Sequence, residues 1–356
     1  MKQALSATDT MRQDFAGHSG SQPTIEQQAR DLVRDLQVPR PATYWTDFLI
    51  TSIAGWSCFA LAVYYPLFSP MMALAAVIAT FSLYRGLLFV HEISHFTRGG
   101  MEGFETAWNL LSGYPLLLPS FVYCGMHQDH HRISLYGTER DPEYMPFAHS
   151  RGMTICFALE SFLIPLLLAV RFLVVAPLGL ICPPLHRWLA VHASSLVINF
   201  KYKRDLGGGL EAKMRRSEVA VLGVWMVALL LASRGVLPWR TFAVWLMVVS
   251  VASFVNTLRT LCAHHYESEG EPMNRTGQLL DSIDHPGQWW TGLWAPVGLR
   301  YHALHHYFPG IPYHNLATAY RRLVKNLPST ADYHRSTNPS LPYSLRQLLA
   351  GRGHSS

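Results

Sequence analysis

Between Phe48 and Tyr84 the chain carries no charged residue for 37 positions. As one helix this run would extend ~55 Å, well beyond a ~30 Å hydrocarbon core. Pro66 and Pro70 supply the break, so the run reads as a hairpin of two membrane spans, about 46–68 and 71–90. A second hairpin is expected at about 218–236 and 241–260, with Arg234, Pro238 and Arg240 at its turn. Composition agrees. Charged residues make up 15% of the chain and hydrophobic residues 49%, against about 25% charged in a soluble domain.

The remaining composition narrows the field. Net charge is +6, but no Lys/Arg block forms a nucleic-acid arm, and the basic residues gather in loops, as juxtamembrane charge does. No nucleic-acid partner is expected. Cys58, Cys124, Cys156, Cys182 and Cys262 include no CxxC pair, which argues against a disulfide framework or a zinc ribbon. Residues 1–23 are rich in Gly, Ser, Thr and Gln and read as disordered; residues 1–44 lack a signal-peptide pattern. From Thr24 a short amphipathic helix is expected. Thr24 and Gln27 match a capping box, and Ile25, Ala29, Leu32, Val33 and Leu36 share one face. It would lie on the membrane surface or pack on the domain. Residues 1–44 are thus expected to form a cytosolic N-terminal segment, 45–320 the membrane domain and 321–356 a cytosolic C-terminal tail.

Eight of the 18 histidines fall into three clusters: His91-Glu-Ile-Ser-His95, His127-Gln-Asp-His130-His131 and His302-Ala-Leu-His305-His306. One HxxxH pair is expected by chance in a chain this long, but HxxHH only about 0.05 times, and it occurs twice. Positions i, i+3 and i+4 share a helix face, so each cluster should aim its imidazoles at one point. Imidazole suits iron, copper and zinc. Eight convergent ligands are too many for one tetrahedral zinc and about right for two metals of high coordination number. Soluble di-iron oxygenases build comparable centres from Glu-x-x-His pairs in helical bundles; here imidazole replaces most of the carboxylate.

The clusters also bear on topology. Residues 161–185 are uncharged except for Arg171 and carry four prolines; by length they could span. Boxes two and three flank them and must meet, so an even number of crossings separates them, and the second hairpin already provides two. Residues 155–185 are therefore expected to be interfacial or re-entrant. The loop from Lys201 to Arg216, with Lys203, Arg204, Lys213 and Arg215 against Asp205 and Glu211, has the positive excess of a cytoplasmic loop. The expected fold is all-α and integral to the membrane: four transmembrane helices in two hairpins, plus a cytosolic helical cap holding a two-metal site.

HEISH, HQDHH and HALHH, in this order around two membrane hairpins, resemble the membrane fatty acid desaturase superfamily over about residues 45–320. The resemblance implies two irons, O₂ as co-substrate, a fatty acid or acyl lipid as substrate, and a narrow tunnel for its chain. Desaturation is the leading expectation, with terminal-alkene-forming decarboxylation or acyl-chain hydroxylation as alternatives. A separate electron donor is implied: a ferredoxin, a rubredoxin or a cytochrome with its reductase. The expected location is a bacterial inner membrane, with the site facing the cytoplasm.

Members of this superfamily use a further histidine after the fourth span. Asn256, Thr260 and His264 would share a helix face there, which favours His264 as the ninth ligand over His265. Thr260 stands where stearoyl-CoA desaturase has an asparagine. No catalytic residue beyond the ligands is expected. Glu92, Asp129, Asp141, Glu143, Asp281 and Asp284 flank the boxes and could hold imidazole tautomers, although any one of them is more often a solvated carboxylate. His285-Pro-Gly-Gln is similar to a haem motif but lacks a surrounding domain. A membrane metal transporter is disfavoured because transporters place ligands within their spans, and these boxes lie at or beyond span ends. A zinc hydrolase is the other remote reading, and a catalytically dead lipid-binding homologue is disfavoured by the intact boxes.

Overall fold

A computed structural model describes residues 24–96, 100–207 and 209–351; the segment 1–23, read above as disordered, lies outside them. The described residues form helices and no strand. Isolated bridges join Thr138 to Gly270, His264 to Ser282, and Asp284 to both Tyr301 and Thr337.

Helix α1 (Ile25–Val33) begins with the expected capping box: Thr24 Oγ1 accepts from Gln27 N, and Gln27 Oε1 accepts from Thr24 N. Its apolar face packs on the protein, burying Ala29, Val33 and Leu36 against Leu316, Ala319 and Leu323. Helices α2 (Pro41–Tyr64) and α3 (Pro70–His95) form the first hairpin, each with proline in its first turn, where a missing N–H costs nothing. Gly55 brings the two together. A Cβ there would stand 2.8 Å from Leu83 Cδ2 and 3.3 Å from the Leu83 backbone nitrogen. At 26 residues, α3 is ~39 Å long, longer than a ~30 Å core, and His91 and His95 lie in its last two turns.

After α4 (Phe104–Trp108), the short α5 (Cys124–His130) holds the second box. Helix α6 (Arg151–Glu160) is followed by α7 (Ile164–Ala169), a π-helical stretch Val170–Val175 and α8 (Ala176–Ile181), which run on as one helix, and then by α9 (Pro183–His192). The second hairpin is α10 (Leu210–Ser233) and α11 (Arg240–Leu261). Arg240 ties the hairpins together by donating to the Tyr64 and Tyr65 carbonyls at the end of α2. The remainder comprises α12 (Arg275–Asp281), α13 (Thr291–Trp294), α14 (His302–Tyr307), α15 (Tyr313–Asn326) and α16 (Leu341–Ala350). Helix α15 crosses the boundary expected at 320/321, and Leu345 and Leu348 of α16 pack into the body of the protein.

Among the described residues five helices are long and apolar enough to cross a membrane: α2, α3, Ile164–Ile181, α10 and α11; the third lies in the segment whose length alone already allowed a span. Ile164–Ile181 has 18 residues, ~27 Å of helix, just short of the core thickness. The apolar exterior is continuous over the hairpins, with Ile50, Ile53, Leu74, Met226 and Leu230 more than half exposed. The basic loop is less free than its sequence suggests. Arg204 is buried and donates to the Phe121 and Ser194 carbonyls, and Lys201 and Lys213 pair with Glu139 and Glu105.

Candidate metal centre

All nine candidate histidines converge, in two groups. His91, His95, His127, His131 and His305 form one; His130, His264, His302 and His306 form the other. Within each group the nearest ring nitrogens lie within 4.8 Å of one another.

The division corrects the expectation that each box aims at a single point. His91 and His95, four apart on α3, enter the same group. In the HxxHH boxes the i, i+4 pair goes one way and the remaining histidine the other. His127 and His131 face the five-histidine group while His130 turns to the second; His302 and His306 face the second while His305 turns to the first. Adjacent residues on a helix differ by 100°, so one short turn serves two metal positions. The rings of His131 and His306 stack at 4.3 Å where the groups meet.

His264 is present, but not by the route expected. Helix α11 ends at Leu261, and Asn256 and Thr260 do not line a ligand stripe. They accept hydrogen bonds from Arg259 Nε and Nη2. Beyond the helix, Ile283 N donates to Ala263 O, and His264 bridges to Ser282, which turns its ring into the second group. His265 faces elsewhere. It belongs to neither group, and its backbone N–H donates to Asp281 O.

A metal ion fits both groups. Nε2 atoms face one another at 3.1 Å (His127 and His131), 3.1 Å (His131 and His305), 2.9 Å (His264 and His302) and 3.1 Å (His302 and His306). Ligands at ~2.1 Å from one ion and at right angles stand ~3 Å apart. Both His91 nitrogens and Nε2 of His95 and His130 are buried with no partner among the described residues, the expected state of groups whose partner is a metal. Burial, and then the neighbouring imidazoles, hold His127, His131, His302, His305 and His306 well below the ordinary histidine range. They are therefore neutral, with lone pairs free to ligate.

Three of the six flanking carboxylates touch these rings. Asp141, fully buried, meets His130 Nδ1 with both oxygens at 2.8 and 3.0 Å. Burial drives His130 down, and the Asp141 carboxylate more than reverses this, so its net shift is upward. Glu143 Oε1 lies 2.6 Å from His127 Nδ1. Asp281 stands 3.5 Å from His264 Nδ1 and accepts from Tyr136 Oη at 2.8 Å. Burial pushes Asp281 up, but the His264 and Tyr136 hydrogen bonds outweigh it and leave it below the usual carboxylate range. The other three act elsewhere: Glu92 accepts from Tyr44 Oη, Asp129 from Tyr202 Oη, and Asp284 from Leu304 N and Tyr333 Oη. None of the six is fully exposed.

Sequence reasoning missed Tyr136 and Ser282, which meet His264 Nδ1 at 2.8 and 3.3 Å. Tyr136 follows the second box closely, but no spacing rule singles out a tyrosine there. His285, from the haem-like motif, is buried, meets Ser344 Oγ at 2.8 Å and packs edge-on to Trp294.

A family model described as fatty acid desaturase matches residues 67–338. A ceramide hydroxylase of Caulobacter vibrioides (strain NA1000 / CB15N) is 38% identical over 337 residues, covering 93% of this chain and 95% of the relative. No solved structure matches. With two histidine groups gathered from α3, α5, α14 and the segment after α11, the chain belongs to the fatty acid desaturase family and is a membrane oxidoreductase acting on acyl chains.

Proposed function

We propose that this chain is an O₂-dependent di-iron enzyme that hydroxylates the acyl chain of a ceramide-type lipid. The observation that carries it is the pair of imidazole groups with buried, unpartnered nitrogens. Two irons held there would supply the oxidising power that an unactivated C–H bond requires. The chain's own residues supply orientation: Asp141, Glu143 and the Tyr136–Asp281 pair fix the tautomers of His130, His127 and His264. The relative's activity favours hydroxylation over desaturation, while the family model supports desaturation as the second reading.

The same reading gives four crossings, with the histidine cap on the cytoplasmic face of a bacterial inner membrane. Boxes two and three share both groups, so an even number of crossings separates them, and α10 and α11 already make two. Ile164–Ile181 would then lie within one leaflet. A topology reporter inserted after Gly207 should report cytoplasm; a periplasmic signal would make that helix a true span. Electrons come from a separate ferredoxin, rubredoxin or cytochrome.

The test is the purified protein in nanodiscs with ceramide, a reductase system and O₂. Two irons per chain and a product one oxygen heavier are expected. Loss of two hydrogens would favour desaturation. Zinc as the sole bound metal, or turnover without O₂, would sink both readings.

A further inference from the structure

A cavity of about 520 Å³, lined by none of the nine candidate ligands, lies between α6, α7 and the segment 193–200. Its volume falls in the range of small-molecule sites, about 300–1,000 Å³. The walls are apolar, including Phe157, Leu167, Leu168, Phe172 and Leu196, and one charged side chain from the middle of an apolar helix joins them, Arg171. An ionisable residue in such a helix costs several kcal/mol unless it is paired or functional.

Arg171 is only partly satisfied. Nη2 donates to Glu218 Oε1 at 2.6 Å and Nε to Ala193 O at 2.8 Å, whereas Nη1 is buried with no partner among the described residues. Glu218 is fully buried and its second oxygen lies 3.2 Å from His186 Nε2. The arginine's charge is therefore already neutralised, and one strong donor is left over. An anionic ligand would add an uncompensated charge beside Glu218, and Glu160 on the cavity wall would repel it further. A neutral oxygen acceptor satisfies the donor without that cost.

The cavity wall is also tied to the histidine site. Leu196 N donates to Val122 O, five residues before His127. Ile198 N and Asn199 N both donate to Pro142 O, between Asp141 and Glu143. A lipid seated here lies along the elements that hold one metal ligand and two ring-orienting carboxylates.

We propose that this cavity docks an uncharged N-acyl lipid, with Arg171 Nη1 donating to its amide or hydroxyl oxygen and the apolar walls taking a hydrocarbon chain. The proposal rests on the function argued above for its substrate, and it selects ceramide over free fatty acid.

The test uses the full chain in nanodiscs and a ceramide carrying a diazirine in mid-acyl chain. Photolabel is expected within residues 157–200, displaced by unlabelled ceramide at concentrations where palmitic acid displaces little. Leu167→Trp, which places a large ring at the cavity wall, should remove most of the label while iron content stays at the wild-type level. The paired variant Arg171→Gln/Glu218→Gln keeps the site neutral and should weaken ceramide competition about tenfold, the worth of one charge-assisted hydrogen bond. Label confined to other segments, equal displacement by palmitic acid, or undiminished labelling of Leu167→Trp would each overturn the proposal. Ceramide turnover is read on the same wild-type samples. Label in the cavity without oxidised ceramide counts for the docking site and against the proposed reaction.

Discussion

The two histidine groups are held in place by different means. In the four-histidine group all members are buried, and outer partners fix two rings: Asp141 grips His130 with both oxygens, while Tyr136, Ser282 and Asp281 surround His264 Nδ1. In the five-histidine group, His95 and His131 are only half-buried. Among the described residues Glu143 is the one carboxylate in hydrogen-bond reach of a ring of this group; Glu92 stands off at 3.6 Å from His91. Orientation there comes mainly from helix packing, because α3 and α5 are regular where they carry His91, His95 and His127. One group is braced by side chains, the other by backbone, and the two should respond differently to substitution.

The largest effect is expected at His127. Its replacement by alanine removes a ligand from the five-histidine group and strands Glu143; turnover should fall to background and iron toward one per chain, with membrane insertion unchanged. Full activity in His127→Ala would show that this group is not a metal site. Next comes His264→Ala, which takes one of four ligands. Nearly all activity should go, and Mössbauer spectra should show loss at one iron while the other persists; simultaneous loss of both would mean that the groups do not bind independently.

Outer partners should matter less, and unequally. Asp141→Asn is expected to weaken iron at the four-histidine group by about 10–100-fold. Glu143→Gln should sit near the lower end of that range, about tenfold, because Tyr123 Oη still meets the same ring nitrogen at 3.1 Å. Chelator competition measures both, and a greater loss with Glu143→Gln would overturn the distinction drawn between the groups. The smallest effect is expected at His265→Ala, within about 0.5 kcal/mol in stability and with iron retained. Loss of iron there would make His265 a ligand.

The contrast follows how far each region was legible in the sequence. The hairpins announce themselves through missing charge, and the boxes through spacing that composition does not explain. The split of each HxxHH box was not legible, because a one-dimensional pattern fixes angles about a helix but not what stands on either side of it. His264 was singled out on a helical stripe that does not exist, since the helix stops at Leu261 and long-range pairing with residues 282–283 sets the ring. Tyr136 and Ser282 belong to the same long-range layer, whereas Asp281 was among the carboxylates the sequence offered. Arg171 was visible only as a blemish in an apolar run; its partner Glu218 lies 47 positions away.

The wide spacing of the boxes also sets an order of events during synthesis. About 170 residues separate His131 from His302, and at roughly 5–20 residues per second the ribosome needs about 10–35 seconds to deliver the third box after the second. For most of that interval His91, His95, His127 and His131 are already made, while the four-histidine group has only His130; His264 joins it 38 residues before His302. The five-histidine position thus gains four of its histidines well before α14 delivers the last ligands of both groups. With two ions held as proposed, acquisition would be sequential, the five-histidine position filling first.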